Sequence, residues 1–150
     1  MITSKPLKWA GVTFAVPIAL FASAQLVRPQ QLALGTDPSH TIAASFAASA
    51  GLAPVLDRAC GDCHSNTMAP RWYARIAPFS IVMARGAVKG RLAVNFAEWP
   101  TYSSEQQRAF LTLSCADAKT GKMPMAAYLR FRLDAKLSAR DVETICGAAR

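Results

Sequence analysis

The sequence contains few charged residues and little cysteine. Charged residues make up 17% of the 150 residues and hydrophobic residues 52%, which excludes a chain that is disordered throughout. Four Cys are too few for a small domain held together by disulfides. The sequence has no internal repeat and no convincing alternating strand pattern. Only one apolar segment is long enough to cross a bilayer, which excludes a multi-span membrane protein.

Acidic residues are scarcer than basic ones. Nine Asp and Glu stand against 17 Lys and Arg, so the formal net charge is +8. The basic residues are spread singly from Arg58 to Arg150 instead of forming a cluster, with few aromatic residues among them. This distribution predicts a generally basic, solvated surface and no nucleic-acid binding.

The N-terminal segment is the most apolar part of the chain. Residues 9–27 carry no charge, and a helix of that length reaches about 28 Å, near the thickness of a bilayer core. Lys5 and Lys8 precede it, which predicts a cytoplasmic N-terminus with the rest of the chain outside the membrane. We expect residues 1–28 to form an uncleaved anchor in the bacterial inner membrane, with the remainder in the periplasm. The alternative is a signal peptide cleaved near Ala24, which leaves a soluble periplasmic protein.

The rest of the chain is predicted as a tether over residues 29–50 and a domain over residues 51–150. Pro29, Gly35 and Pro38 favour the tether, and residues 41–50, which are rich in Ala and Ser, are either a short helix or further linker. In the domain, apolar periodicity and start signals, including capping-box spacing of Ser103 and Gln106, predict helices with long loops between them. The fold class is therefore all-α, preceded by one N-terminal hydrophobic helix. The predicted helices are Ala53–His64, Ser80–Lys89, Ser103–Ala118 and Ser138–Ala149.

The motif that indicates chemistry is Cys60-Gly61-Asp62-Cys63-His64. On a helix, both thiols face one side, where each can form a thioether with a haem vinyl group, and His64 on the same face can bind the iron. The motif therefore predicts one covalently bound haem c, with His64 as an axial ligand. The alternatives are a zinc site, a redox-active thiol pair or a strained Cys60–Cys63 disulfide. The first lacks a second ligand pair in the sequence, and the second lacks an α/β pattern.

A second axial ligand is expected from a methionine. Met123 lies in Gly121-Lys122-Met123-Pro124, a turn after a predicted helix, where the following proline favours an extended loop suited to ligation. We predict Met123 as this ligand, against the alternative that it only fills the core. The other candidates are Met125, His40, Met68 and Met83.

Two further groups of residues have expected roles. Cys115 and Cys146 each lie on a predicted helix, and they are either a disulfide in an oxidising compartment or two buried free thiols. The aromatic residues between the haem motif and the third predicted helix of the domain are expected to line the haem cavity. They are Trp72, Tyr73, Phe79, Phe96 and Trp99.

A series of short motifs occurs in a fixed order between Leu52 and Cys146. The motifs are Asp62-Cys63-His64-Ser65-Asn66, Trp72-Tyr73, Ile76-Ala77-Pro78, Gly90-Arg91, Asn95-Phe96 with Trp99, Gly121-Lys122-Met123-Pro124 and Tyr128. In this order they resemble the bacterial haem-binding domain family of small, usually anchored c-type cytochromes. The resemblance implies a cytochrome c-like haem domain, with His64 as the proximal ligand and Met123 as the distal one. It also implies that Cys115 and Cys146 match positions where the family often has cysteines.

The sequence departs from the family at two places. Pro70-Arg71-Trp72-Tyr73 keeps only the last two aromatic residues of a Trp-Pro-Trp-Tyr run. Arg132-Leu133 stands where a His-Pro pair often follows the tyrosine by four residues, so no role is carried over to position 132.

The expected function is one-electron transfer by a mono-haem c-type cytochrome, with an unidentified redox partner protein. The sequence contains no obvious acid–base pair or nucleophile, so we do not expect an enzyme. The alternative is a haem-based ligand-binding, sensor or peroxidase-like protein in which the distal site opens. A zinc or structural module without haem is the third hypothesis.

Overall fold

The structure is a computed structural model that describes residues 5–27, 35, 37–46, 51–66 and 72–150. Met68, the side chain of His40 and most of the predicted tether lie outside the described residues. The described part of the chain is helical and contains no strand, which confirms the all-α fold class. Its α-helices are α1 Lys5–Ala24, α2 Ile42–Ser45, α3 Leu52–His64, α4 Phe79–Ala93, α5 Ser104–Thr120, α6 Ala126–Leu129 and α7 Ala139–Gly147. Its 3₁₀ helices are Pro38–His40, Trp72–Arg75, Phe96–Thr101 and Leu133–Ala135.

The chain divides into two compact units. The first consists of residues 1–30 and 70–85, and the second of residues 31–69 and 86–150. Helix α4 begins in the first unit and ends in the second.

In the first unit, one side chain joins the end of α1 to a distant part of the sequence. The Gln25 side chain donates from Nε2 to the carbonyl of Ala77 (3.3 Å) and accepts from the Ala77 amide at Oε1 (3.0 Å). Ala77 is buried, so this side chain satisfies both backbone groups of a residue that water does not reach. The segment around residue 25 is thereby bound to the stretch after the Trp72–Arg75 helix.

Among the residues described, no helix is both long and apolar enough to qualify as a membrane span. The hydrophobic character predicted for the N-terminal helix therefore stays a prediction.

The core of the second unit surrounds Trp99, whose side chain is fully buried. Leu52 and Leu56 reach it from α3, Leu111 from α5 and Ile145 from α7. The ring of Phe96 packs 6.0 Å from that of Trp99. Trp99 is therefore part of the hydrophobic core and does not line the cavity as predicted, because the short helix Phe96–Thr101 turns its indole toward the helices.

Part of the predicted tether is folded onto this core. The Thr41 side chain caps α2 by accepting from the Ala44 amide, and Ile42 is buried in the core. Phe46 follows and lies 6.2 Å from Trp99, ring centre to ring centre. Burial of these two apolar side chains explains why this stretch is ordered although its composition is typical of a linker.

Helix α5 begins and ends as its sequence signals predict. Ser103 accepts from the amide of Gln106, and the side chain of Gln106 accepts from the amide of Ser103, which completes the capping box. Gly121 ends the helix in the left-handed conformation, with φ of 67°. There the amides of Lys122 and Met123 both donate to the carbonyl of Asp117, at 3.0 and 3.2 Å. The first residues after α5 are therefore held against its last turn.

A disulfide joins α5 to α7. Cys115 and Cys146 are bonded to each other, with their Cα atoms 4.8 Å apart. The bond closes a loop over a sequence separation of 31 residues, which contributes about 3.5–4 kcal/mol in the chain-entropy model. It braces the helix from which the Met123 loop departs.

Candidate functional site

The haem motif occupies the last turn of α3. Leu52, Leu56 and Ala59 place the buried stripe of this helix against the core. Cys60, Cys63 and His64 follow and are half-buried. The helical spacing therefore presents both thiols and the imidazole to the same neighbouring space, as the motif predicts.

That space is a mainly apolar cavity of about 450 Å³ in the second unit. Cys60, Cys63 and His64 all line it, and Met123 and Met125 line it as well. Of the predicted aromatic residues, Phe96 contributes to the wall, together with Phe110 and Tyr128, which the sequence analysis did not single out for this role. Trp72, Tyr73 and Phe79 belong to the first unit.

A close approach of α4 positions the motif. The Gly90 backbone packs against Cys63, and a Cβ atom at Gly90 would lie only 2.8 Å from the carbonyl carbon of Cys63. Any larger side chain would push the two helices apart, since such a separation is well inside van der Waals contact. Sequence reasoning assigned Gly90 no function, although a glycine inside a helix pattern is a signal for close backbone approach.

The close packing of α4 against α3 also orients His64. Val94, one turn after Gly90, places its carbonyl oxygen 3.1 Å from the His64 Nδ1 atom. An Nδ1–H donating to this carbonyl leaves Nε2 as the nitrogen with a free lone pair, which is the usual arrangement behind a metal-binding histidine. Burial lowers the pKa of His64 below its ordinary value, while its hydrogen bond to Val94 acts in the opposite direction. The neutral imidazole is the form that binds iron.

The two motif cysteines carry free thiols and are not bonded to each other. Burial raises the pKa of Cys60 to about 12, and burial also raises that of Cys63, with the Asp62 charge adding to the effect. A redox-active C-x-x-C pair has a thiol of lowered pKa, so this environment is opposite to that of a thiol oxidoreductase.

The four methionines considered as the second axial ligand differ in where they lie. Met123 and Met125 both lie on the cavity wall, Met83 belongs to the first unit, and Met68 lies outside the described residues. Met123 is half-buried, whereas Met125 is 46% exposed. The next residue after Met123, Pro124, is buried in the same wall.

A buried ionic cluster beside the motif was missed by the sequence analysis. The Asp62 carboxylate is 8% exposed and accepts from the Tyr128 hydroxyl (2.6 Å) and from Arg132 Nη1 (2.5 Å). Arg132 is itself 5% exposed. Burial raises the pKa of Tyr128, and its hydrogen bond to Asp62 raises it further, so the hydroxyl stays a proton donor. The signal available in the sequence was Arg132 at a position where the resembled family has His-Pro.

The donor atoms of the cavity fit haem. An apolar wall, an imidazole with a free Nε2, thioether sulfurs and two thiols are the groups that hold and ligate a c-type haem. By contrast, within the described ranges no three His, Cys, Asp or Glu side chains come together as a metal site. The chemistry of the wall therefore matches haem and gives the zinc hypothesis no donor set in that part of the chain.

An all-α domain whose apolar cavity is lined by these donors defines a small haem-binding protein. The chain belongs to the haem-binding domain family, whose model matches residues 19–149. This confirms the resemblance stated from the sequence motifs. Comparison with the curated proteins and with the solved structures finds no match.

Proposed function

We propose that this haem-binding protein is a mono-haem c-type cytochrome that carries single electrons. The observation that supports this most directly is the shared cavity: both motif thiols, the His64 imidazole and the Met123 thioether face the same apolar space. The proposal assigns thioether bonds to Cys60 and Cys63, and axial ligation to His64 and Met123. Haem bound in this way supplies a one-electron couple between ferric and ferrous iron.

The residues of the cavity wall would orient the iron ligand His64 and place charges beside the haem. Val94 holds the His64 ring with Nε2 directed away from the backbone, and the Gly90 approach keeps that carbonyl in place. Asp117, Lys122 and Lys89 are polar or charged members of the wall, and Asp117 pairs with Lys122 at 3.3 Å. With His64 and Met123 both bound, the iron would have no open position for a substrate, which favours outer-sphere electron transfer with a partner protein over enzymatic turnover.

The first test is whether haem is attached covalently. Protein made with a haem c maturation system is denatured in acidified organic solvent, and the haem should stay in the protein fraction because thioether bonds survive this treatment. A redox titration followed by visible spectra should then show one low-spin couple. Complete extraction of haem into the solvent would refute the c-type assignment, and a high-spin spectrum of the native protein would favour the ligand-binding alternative.

We further propose that the chain is exported and keeps its N-terminal segment as a membrane anchor. The uncharged run of residues 9–27 after two lysines supports this location. Retention is supported by the bonds from Gln25 to Ala77, because cleavage after Ala24 would turn this glutamine into a charged chain terminus beside a buried residue.

Intact-mass measurement of protein from the membrane fraction tests retention. We expect the mass of the uncleaved chain plus one haem. A soluble periplasmic form that begins at Gln25 would show instead that the segment is a cleaved signal. The variant Gln25→Ala should leave haem attachment unchanged and make the segment near residue 77 more sensitive to protease, because the two hydrogen bonds are lost.

A further inference from the structure

Asp62 connects the haem motif to the segment that follows the methionine loop. It lies directly before Cys63 on α3, and its Oδ2 atom accepts two hydrogen bonds. Both donors, Tyr128 and Arg132, come from the chain just after Met123 and Met125. The carboxylate two residues before His64 thus binds two side chains of the segment that follows the methionine loop.

The Arg132 guanidinium is held by two carboxylates, those of Asp62 and Asp134. Besides its bond to Asp62, it donates from Nε to Asp134 Oδ1 (3.0 Å) and from Nη2 to Asp134 Oδ2 (3.1 Å), as a two-pronged pair. Its Nη2 atom also lies 3.4 Å from the carbonyl oxygen of Arg58 on α3. Charge-assisted bonds of this kind are short and directional, so the buried guanidinium holds the segment from Tyr128 to Asp134 against α3.

The other end of the methionine loop is fixed independently. Lys122 and Met123 donate their amides to the carbonyl of Asp117 in the last turn of α5. Helix α5 is in turn bonded to α7 through Cys115 and Cys146. Met123 therefore lies on a short span whose first end is set by α5 and whose second end is set by the bond from Tyr128 to Asp62.

We propose that Tyr128 and Arg132 are positioning residues that, through the buried Asp62 carboxylate, hold the Met123 loop closed over the haem and so keep its iron six-coordinate. This inference rests on the proposed function, because it presupposes that Met123 is the axial ligand. Tyr128 is the direct link, since its ring lines the cavity and its hydroxyl reaches Asp62. Arg132 donates to the same carboxylate oxygen and so holds Asp62 in the orientation that receives that hydroxyl.

The experiment uses the haem-loaded full chain and the variant Tyr128→Phe, which removes the hydroxyl and keeps the ring. Loss of a hydrogen bond to a charged group shifts an equilibrium by about 10- to 100-fold, so the loop should open that much more often. Carbon monoxide binding to the ferrous protein should accelerate by about 10-fold or more, and a high-spin fraction should appear in the ferric spectrum. Arg132→Lys keeps a charge near Asp62 but loses the two-pronged pair with Asp134, and it should give a smaller change in the same direction.

Ser103→Ala is the control for general destabilisation. The Ser103 side chain caps the first turn of α5, at the end of that helix away from the methionine loop, and it does not line the cavity. Loss of this cap should lower thermal stability without changing the rate of carbon monoxide binding. An equal acceleration in Ser103→Ala would show general loosening of the fold and overturn the proposal.

The results distinguish the positioning role of Tyr128 from the assignment of the protein as a cytochrome. Covalent low-spin haem in the wild type, together with an unchanged rate and spectrum in Tyr128→Phe, would overturn the positioning role and leave the cytochrome assignment intact. Absence of covalent haem in the wild type would instead overturn the proposed function. A faster rate in Tyr128→Phe alone, with haem still attached, supports the positioning role.

Discussion

Replacing Met123 by alanine should convert a low-spin haem into a high-spin or water-ligated one. Met123 is a half-buried thioether of the cavity wall, and its amide is bonded to the last turn of α5. The variant should bind carbon monoxide readily, because the ligand no longer has to displace a thioether. A thioether favours ferrous iron, so the potential should fall by on the order of 100 mV, within the range of roughly 0.8 V that axial ligands span.

Met125→Ala is the matched comparison for this result. Met125 lies on the same wall but is 46% exposed, and its loss should leave the low-spin spectrum and the potential unchanged. Met123→His should stay low-spin and have a lower potential than the wild type, since imidazole replaces the thioether. If Met123→Ala retains the methionine–iron charge-transfer band and Met125→Ala loses it, Met125 is the ligand and our assignment is wrong.

Substituting Gly90 by alanine should destabilise the domain and impair haem attachment. Alanine favours a helix interior by about 1 kcal/mol relative to glycine, but here the added methyl group would overlap the carbonyl group of Cys63. Overpacking of this kind costs about 1–3 kcal/mol, and displacement of Val94 from His64 costs about 1 kcal/mol more. We therefore expect a net loss of about 1–3 kcal/mol in the free energy of unfolding and a clearly lower yield of covalent haem.

Gly147→Ala provides the control for helix propensity. Gly147 ends α7, and a Cβ atom there would meet nothing within 4 Å. Its replacement should leave stability unchanged or slightly higher and should not affect haem attachment. Denaturant unfolding and haem absorbance per mole of protein measure both effects. A Gly90→Ala protein that matches Gly147→Ala in both would show that α4 can withdraw from α3 without consequence for the site.

The helices of the domain were largely predictable because their signals are local. The capping boxes that begin at Ser103 and Ser138 and the left-handed Gly121 lie within a few residues of the helix ends that they define. Residues 37–46 fell within the predicted tether because Pro38, its polar neighbours and the Ala- and Ser-rich stretch that follows are typical of a linker. The burial of Ile42 and the packing of Phe46 depend on Trp99, which lies more than fifty residues away in the sequence and has no local relation to them.

The candidate site likewise combines features that the local sequence predicts with features that depend on residues distant in the sequence. The placement of both thiols and His64 on one helix face follows from their spacing in the sequence alone. The contacts that surround the two thiols and His64 do not follow from this spacing. Three contacts act on the motif: the close approach of Gly90 to Cys63, the bond between the Val94 carbonyl and His64, and the buried ion pair of Arg132 with Asp62. Each joins residues that are far apart in the sequence and share no helical or strand repeat.

The amino-acid sequence by itself determined the haem motif, the all-α class and the family of this protein, because each depends on residue types at short, fixed spacings. Only the tertiary structure decided that Met123 and Met125, rather than Met83, share the cavity with His64, and that Trp99 belongs to the core. It also decided that Arg132, which stands where the resembled family often has His-Pro, is buried beside Asp62, Asp134 and Tyr128. The physical reason is that a buried charge is stable only beside specific partners, and those partners are brought together by the packing of separate segments and not by their order in the chain.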